Sequence, residues 1–495
     1  MDRELLDHER IPKGDDTFKS KDDQALCKDP KENKEEENLV NVLLTTIEHY
    51  FPRFNEWLSE LTDQRDQETI LYDKRTIVWT ALMTMLTKRG SRNKINEQMR
   101  NNKCKENLSR LSGQDDLRRV PHGDTVEYFN LRAKEEEFEE LQAKMMGVLL
   151  RGRVLERPRL LGKYYSLAID GNHLHTFDYA HCEHCLVRRD KEGKKQWFHY
   201  KLQASLVTPE GLSLAMCTEW IENEREYDKQ DCELSAFYRL VEKVRRLYPR
   251  LRICLLLDGL YGVQPVFDIL KKYRMEWIIV FKEGRMSEVY NWIKLMRSKP
   301  GMDNILVRKE ARVVGVRNRR THQEKIIRGK VKRQTRVIER ERVYGWMNQI
   351  KHWDEKRAFN VMRVKEVEDG KTNCEYVWLV SDGLCLCKET IEELAERGRC
   401  RWKIENEGFN TQKNGGYKSE HCYSRDPVAM KVWNLIIDIA HLINQLIERG
   451  SLIKKKVYGS ISNISQRMFE HFRYSIFKKP KEKPRIQIRL CWDTS

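Results

Sequence analysis

Three carboxylates draw attention by where they stand. Asp170 closes the apolar run Tyr164–Asp170 (YYSLAID) and Asp258 closes Leu251–Leu257, each just before a glycine. Glu405 belongs to the polar run Arg401–Lys413 (RWKIENEGFNTQK). Helical spacing there puts Arg401, Glu405 and Gln412 on one face, with Lys413 close by. Converging carboxylates repel one another unless cations neutralise them. Mg²⁺ suits such a group because it takes oxygen ligands and keeps water or phosphate oxygens in its shell; Mn²⁺ can take its place. Two ions roughly 4 Å apart activate the attacking oxygen and stabilise the leaving one in phosphoryl transfer. Alone, an Asp before Gly is more often a turn residue or helix cap. An Arg–Glu pair one turn apart is, alone, more often a solvated helix face. The weight lies in the combination.

A second group is softer. His181-Cys182-Glu183-His184-Cys185 follows the first apolar run, a few residues after His173 and His175. Cys182 and Cys185 can supply half of a tetrahedral Zn²⁺ site. Two further ligands would have to come from Cys385-Leu386-Cys387 or from nearby histidines. No thioredoxin-like pattern surrounds the pair, so a redox role is the weaker reading.

These residues need elements to carry them. The 495 residues hold 93 Lys and Arg against 76 Asp and Glu, a net charge of +17, which makes a polyanion the first partner to consider. No apolar run reaches the roughly 18 to 20 residues that span a bilayer, and the start lacks a secretory pattern, so a membrane or secreted protein is a poor reading. Thirteen scattered cysteines fit reduced thiols in a cytoplasmic setting better than a disulfide framework.

Residues 1–38 alternate charges with few large apolar side chains and are expected to be a disordered tail. Apolar spacing from Leu39 to Leu61, near Thr76–Leu86 and near Glu127–Leu150 predicts an all-α segment over 39–150, whose basic stretch Lys88–Lys105 can meet DNA phosphates. From 160 to 298 the expected order is three strands (Tyr164–Asp170, Trp197–Val207, Leu212–Thr218), a helix, the strand Leu251–Leu257, a helix and the strand Trp277–Phe281. That is the order of an RNase-H-like α/β domain, in which the first and fourth strands are neighbours. A β-rich insertion rich in arginine occupies 299–380, with Arg319, Arg320, Lys332 and Arg333 in its densest part. The α/β core resumes over 381–450 with a helix running from about Lys388 to Lys413, then the apolar helix Val428–Ile447. Residues 451–495 form a basic tail.

Over roughly 163–447 the sequence resembles the DDE transposases of bacterial insertion sequences, and among them the insertion-sequence-four group with its Tyr-Arg-Glu-Lys signature. The resemblance runs through AIDGNH at Asp170, YDKQDCE at Tyr227–Glu233, LLLDGLYG at Leu255–Gly262 and RWKIENEGFNTQKNGGY at Arg401–Tyr417. It implies Asp170, Asp258 and Glu405 as a metal-binding catalytic triad, with Arg401 and Lys413 on DNA phosphates near the cut. Two departures stand: the signature's tyrosine falls at Gly398, and its lysine at Gln412, one residue before Lys413. Glu407, two residues beyond Glu405, is the alternative third acid.

The resemblance also implies Mg²⁺-dependent hydrolysis at each transposon end and attack by the freed 3′-OH on a second phosphodiester. Partners would be double-stranded DNA, as transposon ends and target, and a second copy of the chain. The setting implied is the bacterial nucleoid. Relatives that pass through a hairpin stack an extruded base on an aromatic residue, a role for which Trp346 is the candidate. Against this stand an inactive, domesticated DNA-binding relative and a nuclease that cuts without strand transfer. A joined product would separate the last.

Overall fold

The computed structural model describes residues 38–223, 230–282, 284, 286–296, 304–315, 326–327, 330–331, 335–351, 358–453, 461–477 and 487–492. The expected tail 1–38 therefore lies outside the described residues except for Asn38, as do Lys454–Lys456 and Lys478–Lys479.

Among the described residues seven α-helices come first, with a π-helical turn Ile95–Met99 after the fourth: α1 Leu39–Tyr50, α2 Phe54–Glu60, α3 Lys74–Leu86, α4 Arg92–Lys94, α5 Asn102–Ser112, α6 Gly123–Asn130 and α7 Glu135–Arg151. Their starts are set by side chains that accept from otherwise unpaired amides: Asn38 from Val40 N, Asp73 from Arg75 N and Asn101 from Cys104 N.

The α/β part follows. It comprises β1 Tyr165–Phe177, β2 Leu186–Arg189, β3 Lys195–Val207, β4 Ser213–Ile221, α8 Glu233–Leu247, β5 Ile253–Leu257, α9 Gln264–Lys272, β6 Glu276–Val280 and α10 Ser287–Met296. The insertion holds β7 Ile305–Gly315, β8 Ile326–Ile327, β9 Lys330–Val331, β10 Thr335–Lys351, β11 Ala358–Glu368 and β12 Lys371–Ser381. Last come α11 Ile391–Arg399, a π-helical turn Ile404–Phe409, α12 Asn410–Asn414, α13 Pro427–Arg449 and α14 Ile461–Tyr474.

One large mixed sheet has the order β2-β3-β1-β5-β6-β12-β11-β10-β7, and β4 also pairs with β3. β1, β5 and β6 are mutually parallel, and the other pairs in this sheet are antiparallel. The insertion therefore extends the central sheet through β12 on β6.

Strand alternation divides the sheet into two apolar faces. Leu167, Ile169, Leu255 and Leu257 join a core shared with α8, α9 and α13. Ala168, Cys254 and Leu256 face the other way, into a core closed by Trp346, Met362 and Trp378 of the insertion and by Ile391, Leu394, Ile404 and Phe409. The N-terminal helices share their core with α13 and α14, and α7 also meets β4 through Gln142, which donates to Ala215 O. Asn107 of α5 donates to the carbonyls of Phe472 and Ser475, and Asn444 of α13 donates to Leu86 O.

Three expectations are corrected. β1 runs through Gly171 to Phe177 instead of ending at Asp170. The reason is steric: a Cβ at Gly171 would lie 1.9 Å from Tyr200 Oη, so the glycine makes room for the neighbouring strand. The short strand β2 was not expected. The helix from 388 to 413 is not one uninterrupted α-helix, because it passes a turn at Cys400–Arg401 and then the π-helical turn.

Candidate active site

Register brings the two aspartates level. Ala168 pairs with Leu256 across β1 and β5, and Asp170 and Asp258 each follow two residues later. Two residues along a strand returns to the same face. Both aspartates therefore emerge on the face shared with Ala168 and Leu256, which is covered by α11 and the π-helical turn. Glu405 follows Ile404, a buried member of that core.

Arg401 ties the group together. Its Nη1 lies 3.0 Å from Asp170 Oδ2 and 3.3 Å from Glu405 Oε1, with the arginine side chain 5% exposed. Burial, then the neighbouring Glu405, raises the Asp170 carboxyl to about 7, against the pull of Arg401 and the Gly171 amide. Asp258 goes the other way. Burial would raise it, but Lys282, the Leu260 amide and Arg401 together hold it below the usual carboxylate range. Lys282 Nζ stands 2.9 Å from Asp258 Oδ1, and the Leu260 amide donates to the same oxygen at 2.9 Å.

Glu407 keeps other company. Its Oε1 lies 3.3 Å from Lys403 Nζ, on the side of the β3–β4 turn at Gly211. Gln412 is also away from Arg401, contrary to the expected common face. It is buried and donates to Asp438 Oδ1 at 2.7 Å, within a network where Asp438 Oδ2 meets Lys201 Nζ at 3.1 Å and Gln203 Nε2 at 2.8 Å. The π-helical turn accounts for the difference: it adds one residue to the helix and rotates everything after Phe409 by about 100°. Lys413 pairs with Glu420 at 3.0 Å. Gly398, where a tyrosine is expected by resemblance, has no room for one, since a Cβ there would lie 2.9 Å from the Trp378 indole.

Beside the carboxylates opens a cleft of ≈ 920 Å³, lined among others by Asp258, Lys282, Arg399, Arg401, Trp402 and Lys403. Trp402 is 51% exposed, with the Arg401 guanidinium 4.4 Å from its ring centre. Nothing in the sequence run RWKIENE distinguishes this exposed ring from a core tryptophan. Trp346 is the reverse. It is 3% exposed inside the core of the insertion, opposite Met362 on β11, so it offers no free ring face to a base. Behind Asp170, Glu233 accepts from Tyr200 Oη at 3.0 Å and from Tyr261 Oη at 2.7 Å. Burial, reinforced by Glu233, raises both phenols, and Asp170 adds to the effect.

Arg319, Arg320, Lys332 and Arg333 lie outside the described residues. Several described basic residues of the Lys88–Lys105 stretch are engaged internally: Lys88 over Tyr417, Arg89 over Phe469 and Arg92 with Glu127. Cys182 and Cys185 stand together at 3.7 Å between sulfurs, whereas Cys387 turns to Thr390 at the start of α11.

No protein-family model and no curated protein matches the chain. Among solved structures it is similar to one described as a cryo-EM structure of the piggyBac transposase synaptic complex with hairpin DNA. The identity is 10%, with 87% of this chain and 80% of that chain covered, and the TM-score is 0.39.

Proposed function

We propose that the chain is a metal-dependent DNA transposase of the DDE type, which cuts DNA strands at element ends and joins the freed 3′ ends to a target. The observation that carries this reading is one guanidinium, Arg401, bridging Asp170 and Glu405 on the sheet face where Asp258 also emerges. The order β4-β3-β1-β5-β6, with α8 before β5 and α9 after it, is that of an RNase-H-like domain and supports the same reading. So does the signature's lysine. An uninterrupted helix would bring Gln412 to the place that the one-residue π insertion gives to Lys413.

The donor set fits Mg²⁺. It consists of carboxylate oxygens, and a divalent cation would offset the burial and the neighbouring Glu405 that raise the Asp170 carboxyl. Asp170, Asp258 and Glu405 would hold the ions, which when bound activate the attacking oxygen and stabilise the leaving one. The chain's own groups do the rest. Arg401 keeps Asp170 and Glu405 together and Lys282 orients Asp258, while Arg399, Lys403 and Lys413 would exchange their pairings with Glu366, Glu407 and Glu420 for DNA phosphates. Trp402 takes the stacking role that buried Trp346 does not offer.

In the first reaction a water oxygen bonds to phosphorus and the 3′ oxygen leaves as a hydroxyl. In the second, that hydroxyl attacks a target phosphodiester, so one phosphodiester forms as another breaks. Two ends must meet for this, and two copies of the chain on DNA meet that need.

The test is incubation of purified protein with its element-end DNA and Mg²⁺, comparing wild type with Asp258→Ala. End cleavage and joining that vanish in the variant support the reading. Cleavage without joining would leave a nuclease. Binding without cleavage by wild type, or equal cleavage by both proteins, would overturn the assignment.

A further inference from the structure

The loop after β1 and the middle of β3 bring four soft donors to one point: His181, Cys182, Cys185 and His199. The sulfurs of Cys182 and Cys185 are 3.7 Å apart. His199 Nε2 lies 3.7 Å from Cys182 Sγ, 3.6 Å from Cys185 Sγ and 3.2 Å from His181 Nδ1. All four donor atoms fall within 4.8 Å of one another.

These spacings can be set against a tetrahedron. Zn–S bonds of about 2.3 Å and Zn–N bonds of about 2.0–2.1 Å give edges of ~3.8 Å between sulfurs, ~3.6 Å between sulfur and nitrogen, and ~3.3 Å between nitrogens. Each of the four short separations lies within about 0.2 Å of its edge, and the two from His181 to the sulfurs are within 4.8 Å. Neutral hydrogen bonding does not require two thiols and two imidazoles to meet at a single point in this way.

We propose that His181 through Nδ1, Cys182, Cys185 and His199 through Nε2 form a structural Zn²⁺ site. Four protein donors fill the tetrahedron and leave no open position, which is the mark of a structural rather than a catalytic centre. Cys185 and His199 are 4% and 2% exposed, so half of the shell is out of water. The surroundings orient the more exposed half. The Phe177 ring stacks on His181 at 4.2 Å with an interplanar angle of 12°. His181 Nε2, the nitrogen not used for the metal, faces Cys422 Sγ at 3.7 Å, in the outer position where a metal-bound imidazole ordinarily finds a carboxylate, a carbonyl or water. Cys422 in turn donates to Ser424 O.

The ion would therefore fasten the tip of the β1–β3 hairpin and reach, through Cys422, the segment between α12 and α13. It is distinct in chemistry from the carboxylate group, since thiolates select Zn²⁺ where carboxylates suit Mg²⁺. Nothing in it depends on the transposase reading.

The test uses the full chain purified without chelators. Elemental analysis should find one zinc per chain, and X-ray absorption at the zinc edge should find two sulfur and two nitrogen neighbours. Exchange into Co²⁺ should give the intense visible bands of a four-coordinate ion and a thiolate charge-transfer band. Cys182→Ser with Cys185→Ser should lose the metal, Cys385→Ser with Cys387→Ser should keep it, and His199→Cys should retain zinc with one more sulfur neighbour. The wild-type absorption and Co²⁺ spectra decide the matter even where a variant fails to fold. Wild type that takes up neither metal, or zinc content unmoved by the Cys182/Cys185 substitutions, would overturn the proposal.

Discussion

Glu405 and Glu407 lie two residues apart on the same turn, yet one shares a guanidinium with Asp170 and the other pairs with Lys403 toward Gly211. Their substitutions should therefore separate cleanly. Glu405→Gln is expected to lower the cleavage rate by more than about 100-fold, beyond what loss of an outer hydrogen bond to a metal ligand costs. Glu407→Gln should stay within a few-fold of wild type. Equal losses in a single-turnover cleavage assay would contradict the assignment of roles. Trp402 gives a second residue-scale expectation. An exposed ring beside Arg401 can stack a base, a contact worth about 1–3 kcal/mol. Trp402→Ala should weaken binding of end DNA accordingly while the melting temperature stays nearly unchanged, because the ring is half in solvent. Fluorescence anisotropy alongside thermal denaturation checks both halves, and unaltered affinity would remove Trp402 from the DNA site.

At the scale of elements, the apolar packing of α13 on the sheet encloses a buried ion pair. Lys201 of β3 and Asp438 of α13 are 1% and 0% exposed, and Gln203 and Gln412 satisfy the rest of the carboxylate. Removing one member of a buried pair strands the other, at a cost of about 3–5 kcal/mol. Asp438→Ala is expected to lose that much in urea denaturation, and a loss below about 1 kcal/mol would mean that the pair is readily hydrated. Much of this level was legible beforehand. The runs ending at Asp170 and Asp258 have the length and apolar content of buried strands, and their order made them neighbours. What escaped was non-local or subtle. Gly171 reads as a stop unless Tyr200 is known to occupy its missing side chain's place. His199 sits on a strand 14 residues beyond Cys185, so nothing in the local spacing joins it to the cysteines. A π-helical turn leaves no mark in helix propensity, and the facing of Gln412 was misjudged for that reason.

For the whole molecule, His441 should be one source of acid sensitivity, beside His175, which burial also lowers. Burial, then Lys88 and Lys201, lowers this imidazole from 6.5 to about 3. The unfolded chain takes up a proton there below about pH 6.5 and the folded chain does not. His441 therefore contributes stability above pH 6.5 that is lost as the pH falls toward 3, at ~1.4 kcal/mol per pH unit. His441→Asn should flatten the dependence of unfolding free energy on pH between about 6 and 4 by one proton. An unchanged slope in denaturant titrations would show the ring protonated in the folded state.

The core shared by the first helices, α13 and α14 has a further consequence, for synthesis. A ribosome releases α1 to α7 more than 275 residues before it reaches α13, so the part of their apolar surface that α13 and α14 cover waits exposed while the entire sheet is made. Contacts of such long sequence separation form slowly and leave aggregation-prone surface exposed meanwhile. A nascent chain stalled before Pro427 would present the N-terminal helices to a chaperone, and completion of α14 would be the event that releases it.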